Sequence, residues 1–132
     1  MRHTAGLPVP QFVQLALGLT LCSDATVSDD GAVIGDPTEA ALVVLAAKLG
    51  ADAELTRTQF PRVAEVPFDS AYKFMGTFHH IPVEGTETLV GYVKGGPDVV
   101  LDRCSAVATM DGVVPIADRR EQILEALSLI HI

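Results

Sequence analysis

An aromatic ring and a lysine five residues apart open the chemical reading: Phe68 and Lys73 in the segment Pro67-Phe68-Asp69-Ser70-Ala71-Tyr72-Lys73-Phe74-Met75. A partly exposed phenylalanine can stack on a purine base, and a lysine can bind phosphate as a compact charge. The same residues also fit a core phenylalanine and a solvated lysine. A second piece is Val93-Lys94-Gly95-Gly96-Pro97-Asp98, where a lysine meets two glycines. Glycines lacking a Cβ let backbone N–H groups approach a ligand closely, although an ordinary strand-to-helix turn uses the same residues. The third is Gly35-Asp36-Pro37-Thr38-Glu39-Ala40-Ala41-Leu42. Asp36 followed by Pro37 and then Glu39 is a helix start with a capping box, and a carboxylate there can also accept the amino group of adenine. In this order the three pieces suit an adenine pocket with a cationic end for phosphate.

Other chemistries find no support. The Gly-x-x-x-x-Gly-Lys-Ser/Thr loop is absent, as is the Gly-x-Gly-x-x-Gly fingerprint of dinucleotide folds. His79 and His80 are adjacent, and neighbours on a strand point to opposite faces, so they do not chelate one ion easily. No Ser-His-Asp or paired-carboxylate device is evident. A net charge of −8 argues against a nucleic-acid partner while leaving room for one small anionic ligand held by one or two lysines. Cys22 and Cys104 are far apart and outside any CxxC pattern, and both read as buried free thiols in a reducing compartment.

The elements that must position these residues follow from periodicity and punctuation. Phe12, Leu15, Ala16, Leu19 and Cys22 recur at helical spacing, which predicts a helix over Val9 to Cys22 after a loop-like start. Asp30-Gly31 predicts a hairpin turn. A second helix starts at Asp36 and stops at Gly50. Strands are expected at Arg62 to Val66, Phe74 to Ile81 and Thr88 to Val93, with antiparallel pairing across the short links. Pro97 to Cys104 reads as a short helix, Val107 to Val114 as a hairpin around Asp111-Gly112, and Ala117 to Leu127 as a final amphipathic helix. With 132 residues and 48% apolar side chains the chain can bury one core, and its apolar runs fall short of a membrane span. Helices and hairpins without regular alternation predict an α+β domain.

Taken together, the three segments resemble the nucleotide-binding domain of P-type cation-transporting ATPases, in the calcium-pump-like branch and its bacterial members. The family's acid-bearing segment is seen at residues 35–42, its adenine-pocket segment at Phe68-Asp69-Ser70 with Lys73 and Met75, and its Lys-Gly-Ala-Pro-Glu turn as Lys94-Gly95-Gly96-Pro97-Asp98. Leu21-Cys22-Ser23-Asp24-Ala25 and Leu101-Asp102-Arg103-Cys104 also resemble family stretches. The likeness covers roughly residues 10 to 126, with Gly96 and Asp98 as mild departures.

The resemblance implies an antiparallel sheet flanked by helices, with ATP in a cleft at one side. It implies Phe68 stacked on adenine, Glu39 reading the amino edge, Lys73 and Lys94 lining the pocket with Met75, and Gly95 and Gly96 letting the backbone pass close to the nucleotide. It further implies a cytoplasmic domain of a membrane pump, soluble as a fragment, that presents ATP, with Mg²⁺ held mainly elsewhere, to an aspartate on a neighbouring domain. Phosphorylation, actuator and transmembrane domains of the same parent chain are the expected partners. The family's Asp-Lys-Thr-Gly-Thr motif and its downstream Arg-Val-Leu-Ala-like strand are not in this sequence, so residues 1–126 are expected to form an incomplete nucleotide-binding domain without turnover of its own. Residues 127–132 are expected to be a non-native tail. The alternative is a stand-alone nucleotide-sensing or interaction module.

Overall fold

The computed structural model describes residues 9–109 and 111–130, with side chains between residues 13 and 129. The expected loop-like start, the tail residues 131–132 and the place of the Phe12 side chain lie outside the described residues. The first helix, α1, runs Val9–Leu21 and is followed by a small hairpin, β1 (Thr26–Val27) and β2 (Val33–Ile34). Gly31, with φ +88°, makes the turn between them at the expected Asp30-Gly31 pair. Helix α2, Pro37–Lys48, starts where the punctuation places it: the Asp36 side chain accepts the Glu39 N–H at 3.0 Å. Gly50, at φ +100°, lies just past its end.

A short helix, α3 (Ala53–Gln59), was not foreseen. Its signal was present in the sequence: Asp52 caps it by accepting the Leu55 N–H at 2.9 Å, two residues after Gly50. Only Thr56 is buried on it, so its apolar periodicity is too weak to mark it.

The centre of the molecule is an antiparallel sheet of β3 (Ala64–Asp69), β4 (Phe74–Val83) and β5 (Thr86–Gly95), in that order. Along β4, Met75, Thr77, His79 and Ile81 are buried while His80 is exposed, the alternation of a strand with one covered face. Helix α1 covers that face: a Cβ on Gly18 would stand 3.1 Å from the Tyr92 ring, so a bare glycine is what lets the helix lie close to the sheet. Leu21, Cys22 and Ala25 from the end of α1, and Ala40, Val43 and Ala46 from α2, complete this core. The adjacent histidines separate as expected. His79 is buried, with Nδ1 2.8 Å from the Phe60 carbonyl oxygen and Nε2 2.9 Å from Thr77 Oγ1.

Beyond the sheet come α4 (Pro97–Asp102), a second small hairpin of β6 (Ala106–Thr109) and β7 (Gly112–Pro115), a 3-10 turn at Ile116–Asp118, and α5 (Arg120–Ile130). The last helix therefore starts three residues later than expected and passes through Leu127, which lines an apolar cleft with Val100, Leu101 and Ile123. The whole is α+β, antiparallel sheets with helices packed against them. Among the described residues no helix is long and apolar enough to cross a membrane.

One cysteine reading is corrected. Cys22 is buried, but Cys104 is exposed, because it falls just past α4, where its Sγ donates to the Val100 carbonyl at 3.2 Å from the open side. Burial pushes the Cys22 thiol above its ordinary value, and burial raises the Tyr92 hydroxyl likewise. A thiol reagent at neutral pH is therefore expected to label one equivalent in the native protein and a second only in denaturant. Rapid labelling of both would show the α1–sheet core to be open. Both groups are acids with raised folded pKa. Their contribution to stability is fully present below about pH 8.5, where the unfolded thiol begins to ionise, and is lost as the pH rises further.

Candidate functional site

The site forms at the end of the central sheet where β3 turns into β4 and β5 leaves for α4. Two connections draw this end together. The turn after β3 closes with the Lys73 N–H on the Asp69 carbonyl at 2.6 Å, and the Gly96 N–H reaches the Lys73 carbonyl at 3.1 Å. Lys73 itself sits at φ +63°, the left-handed region that favours glycine. Gly95 is required by close approach: a Cβ there would fall on the Lys73 carbonyl oxygen and 2.7 Å from Phe74 Cβ.

Register then decides which side chains share a face. Val66 pairs with Gly76, but Asp69 pairs with Phe74, so a bulge shifts β3 by one residue between them. Extending the register that resumes at Asp69↔Phe74 sets Phe68 beside Met75, and Met75 pairs directly with Lys94 on β5. A one-residue slip moves a side chain to the other face. Without the shift Phe68 would stand opposite Phe74; the bulge takes it out of that register and leaves it at the end of β3 beside the Met75–Lys94 pair. Met75 is buried, whereas Phe68 remains 62% exposed at the rim. The core reading of Phe68 is not what the fold uses.

Glu39 comes to the same place from α2. Its backbone N–H goes to the cap residue, but its side chain does not return to close the capping box. Glu39 Oε2 instead forms an ion pair with Lys94 Nζ, and Oε1 accepts the Asp24 N–H at 3.3 Å. The Glu39 and Lys94 side chains are 18% and 30% exposed, so the pair stands at the floor of the site with partial access to solvent. Each carboxylate oxygen keeps a further lone pair, so Glu39 can still accept a bond from an incoming amino group.

Of the seven residues singled out in the sequence, six lie at this end of the sheet and Glu39 reaches it from α2: Met75 pairs with Lys94, Lys94 with Glu39, and Gly95 and Gly96 close on Lys73. Met75 and Lys94 share the covered face, Glu39 meets Lys94 from α2, Phe68 stands exposed at the rim, and Lys73, Gly95 and Gly96 shape the edge beside them. Nearby residues that sequence reasoning did not single out include Cys22, whose Sγ donates to the Tyr92 carbonyl at 3.4 Å directly behind the Met75–Lys94 pair. Another is Asp24, which enters through its backbone N–H, a group that residue type does not reveal. Among the described residues no group of three or more His, Cys, Asp or Glu could hold a metal ion.

A family model described as "P-type ATPase, cytoplasmic domain N" matches residues 11–129. The chain belongs to that family. Among relatives of this N domain, the "Calcium-transporting ATPase 1" of Lactococcus lactis is 44% identical over 96 residues, which is 73% of this chain and 10% of the relative. The "Cation-transporting ATPase pma1" of Synechocystis is 39% identical over 119 residues, 88% of this chain and 12% of the relative. The "Probable cation-transporting ATPase F" of Mycobacterium tuberculosis is 38% identical over 124 residues, 88% of this chain and 13% of the relative. The resemblance to the bacterial, calcium-pump-like branch holds. This N domain spans about a tenth of the length of these relatives.

Proposed function

We propose that this chain binds ATP at the Phe68–Met75–Lys94–Glu39 end of its sheet and, within a cation-transporting pump, presents the γ-phosphate to an aspartate on a neighbouring domain. The observation that carries the reading is the grouping beside the bulge: an exposed aromatic ring, a buried methionine and a lysine ion-paired to a glutamate, at one end of the sheet.

Each residue has a part that follows from its chemistry. The exposed Phe68 ring offers one face to the adenine base, worth about 1–3 kcal/mol by stacking. Met75 forms an apolar, polarisable floor beneath it. Glu39 accepts the adenine amino group while the Lys94 ammonium, paired to it, orients the carboxylate. Lys73 stands beside this group at the rim, where a flexible ammonium meets phosphate. A non-glycine residue in a left-handed conformation costs about 1–2 kcal/mol, and a lysine held there supports a role for its side chain. Gly95 and Gly96 keep the backbone thin beside it. The domain's share of phosphoryl transfer is placement of the nucleotide. Mg²⁺ travels with the phosphates in this reading and is held mainly outside this domain. The actuator and transmembrane domains of the parent chain convert the cycle into cation movement across the membrane.

The test is a chemical-shift titration of the 132-residue chain with ATP, ADP, AMP and adenosine. Stacking plus one charge-assisted contact nets roughly 4–5 kcal/mol, an affinity of about millimolar. Perturbed amides should cluster at residues 39, 68–75 and 94–96, with no release of phosphate, because the acceptor aspartate motif is not in this sequence. Steady hydrolysis by the purified chain, or shifts confined to a different surface, would overturn the proposal.

A further inference from the structure

The structure points to Arg62 as a positioning residue: we infer that it holds the Glu39–Lys94 pair in place for the nucleotide through the backbone of Asp24. The inference rests on the site reading above and extends it to a residue that touches none of the seven residues placed there. Arg62 lies just before β3. Its Nη2 donates to the Leu21 carbonyl at 3.2 Å, to the Ser23 carbonyl at 3.0 Å and to Asp24 Oδ1 at 2.7 Å. The guanidinium therefore grips the end of α1 and the turn after it at three points, and the last of them is the residue whose N–H donates to Glu39 Oε1. Glu39 Oε2 then pairs with Lys94. The order of contacts is Arg62, Asp24, Glu39, Lys94, with one covalent residue, Asp24, joining the two halves.

Geometry gives the first half a reason to matter. Glu39 leaves α2 on a flexible side chain, and its own cap residue does not hold its carboxylate. Only the Asp24 N–H and the Lys94 ammonium fix it among its described partners. If the 21–24 turn relaxes, Oε1 loses its donor, and Glu39 and Lys94 are free to swing together. Arg57 provides an internal comparison. Its Nε donates to the Thr20 carbonyl at 3.0 Å, and its Nη2 donates to the Ser23 carbonyl and Ser23 Oγ, each at 3.2 Å. It satisfies carbonyls of the same helix end but makes no bond to Asp24. Both arginines serve the end of α1, where unpaired carbonyls favour cations. Only Arg62 continues to the residue that touches Glu39.

The experiment is a double-mutant cycle on the 132-residue chain, read by two independent signals. Arg62→Ala is expected to weaken ATP about 3- to 10-fold. In a Glu39→Gln background, where the charged partner is already gone, the same change should cost less than twofold. Arg62→Lys should recover part of the loss, since an ammonium reaches fewer of the three acceptors. Arg57→Ala should lower the melting temperature yet leave ATP affinity within twofold. The second signal needs no ligand: the Asp24 amide proton should shift upfield in Arg62→Ala and in Glu39→Gln alike. An equal loss of affinity in both backgrounds, an equal loss in Arg57→Ala, or an Asp24 amide unmoved by Arg62→Ala each overturns the assignment. If the unaltered chain binds no ATP, the site reading fails, while the Asp24 amide still decides whether Arg62 positions Glu39.

Discussion

Phe68→Ala is expected to weaken ATP, ADP and adenosine binding alike by about 1–3 kcal/mol, or about 5- to 150-fold, while the fold survives. The argument joins exposure to register. At 62% exposure the ring contributes little to the core, so truncation should change stability by about 0.5 kcal/mol or less. Its place beside Met75 and Lys94 puts the same ring where a base would stack. Lys94→Ala should differ in kind. It removes a cation and leaves the Glu39 carboxylate, only 18% exposed, without its partner. ATP should then lose more than adenosine, because the uncovered carboxylate repels phosphate and does not repel a neutral nucleoside. Chemical-shift titrations with the three ligands, beside thermal melts of each variant, separate these effects. Unfolding of Phe68→Ala would make it a core residue after all. Equal losses of ATP and adenosine in Lys94→Ala would remove the phosphate end from its role.

How far the sequence reaches is clearest at Glu39. The spacing Asp36-Pro37-Thr38-Glu39 announces a capped helix, and Asp36 does cap it. Local rules then send the Glu39 side chain back to the cap, and tertiary structure sends it to Lys94, 55 residues away. Both the helix and the site were legible, but the bond that joins them was not. Phe68 shows the same limit differently. Its segment alone reads more readily as a core residue than as a stacking candidate, and what turns the ring out is a bulge between Val66 and Asp69. Pro67 lies inside that bulge, where a missing N–H is tolerated, but a proline in a strand marks an irregularity without saying which way the next ring turns. Strand β4 was legible from the short link that parts Phe74–Ile81 from the next strand, although its covered face of Met75, Thr77, His79 and Ile81 is half polar. Helix α3 was missed because it buries a single residue. Arg62 carries no local signal at all, since its acceptors lie 38 to 41 residues earlier.

Gly95→Ala is expected to damage both stability and binding, and Gly96→Ala neither. The two glycines look interchangeable in sequence, but their surroundings differ. A Cβ at position 95 meets atoms fixed by the backbone: the Lys73 carbonyl oxygen, Phe74 Cβ at 2.7 Å and Phe74 Cα at 2.8 Å. None of these atoms can rotate away. Relief requires parting the Phe74↔Gly95 pair or the bond from the Gly96 N–H to Lys73, the two links that close the site. Overpacking of this kind costs about 1–3 kcal/mol. For a chain of this length that lowers the melting temperature by roughly 3–5 °C per kcal/mol. Lys73 and Lys94 flank the strained link, so ATP affinity should fall more than about fivefold, a change of roughly 1 kcal/mol. At position 96 a Cβ meets only Asp98 Oδ1, at 3.0 Å, the far end of an exposed side chain that can turn aside. Gly96 also sits at φ −57° and ψ 136°, open to any residue. The resemblance agrees, because most members of the family are similar here except that alanine stands at this position. Gly96→Ala should therefore stay within about 0.5 kcal/mol of the original stability and keep its ATP affinity. Paired melts and titrations of the two variants decide it. A Gly95→Ala protein that melts and binds like the original would mean that the β4–β5 end yields freely. Equal damage from both substitutions would mean that glycine is needed for flexibility across the whole turn, not for one close backbone contact.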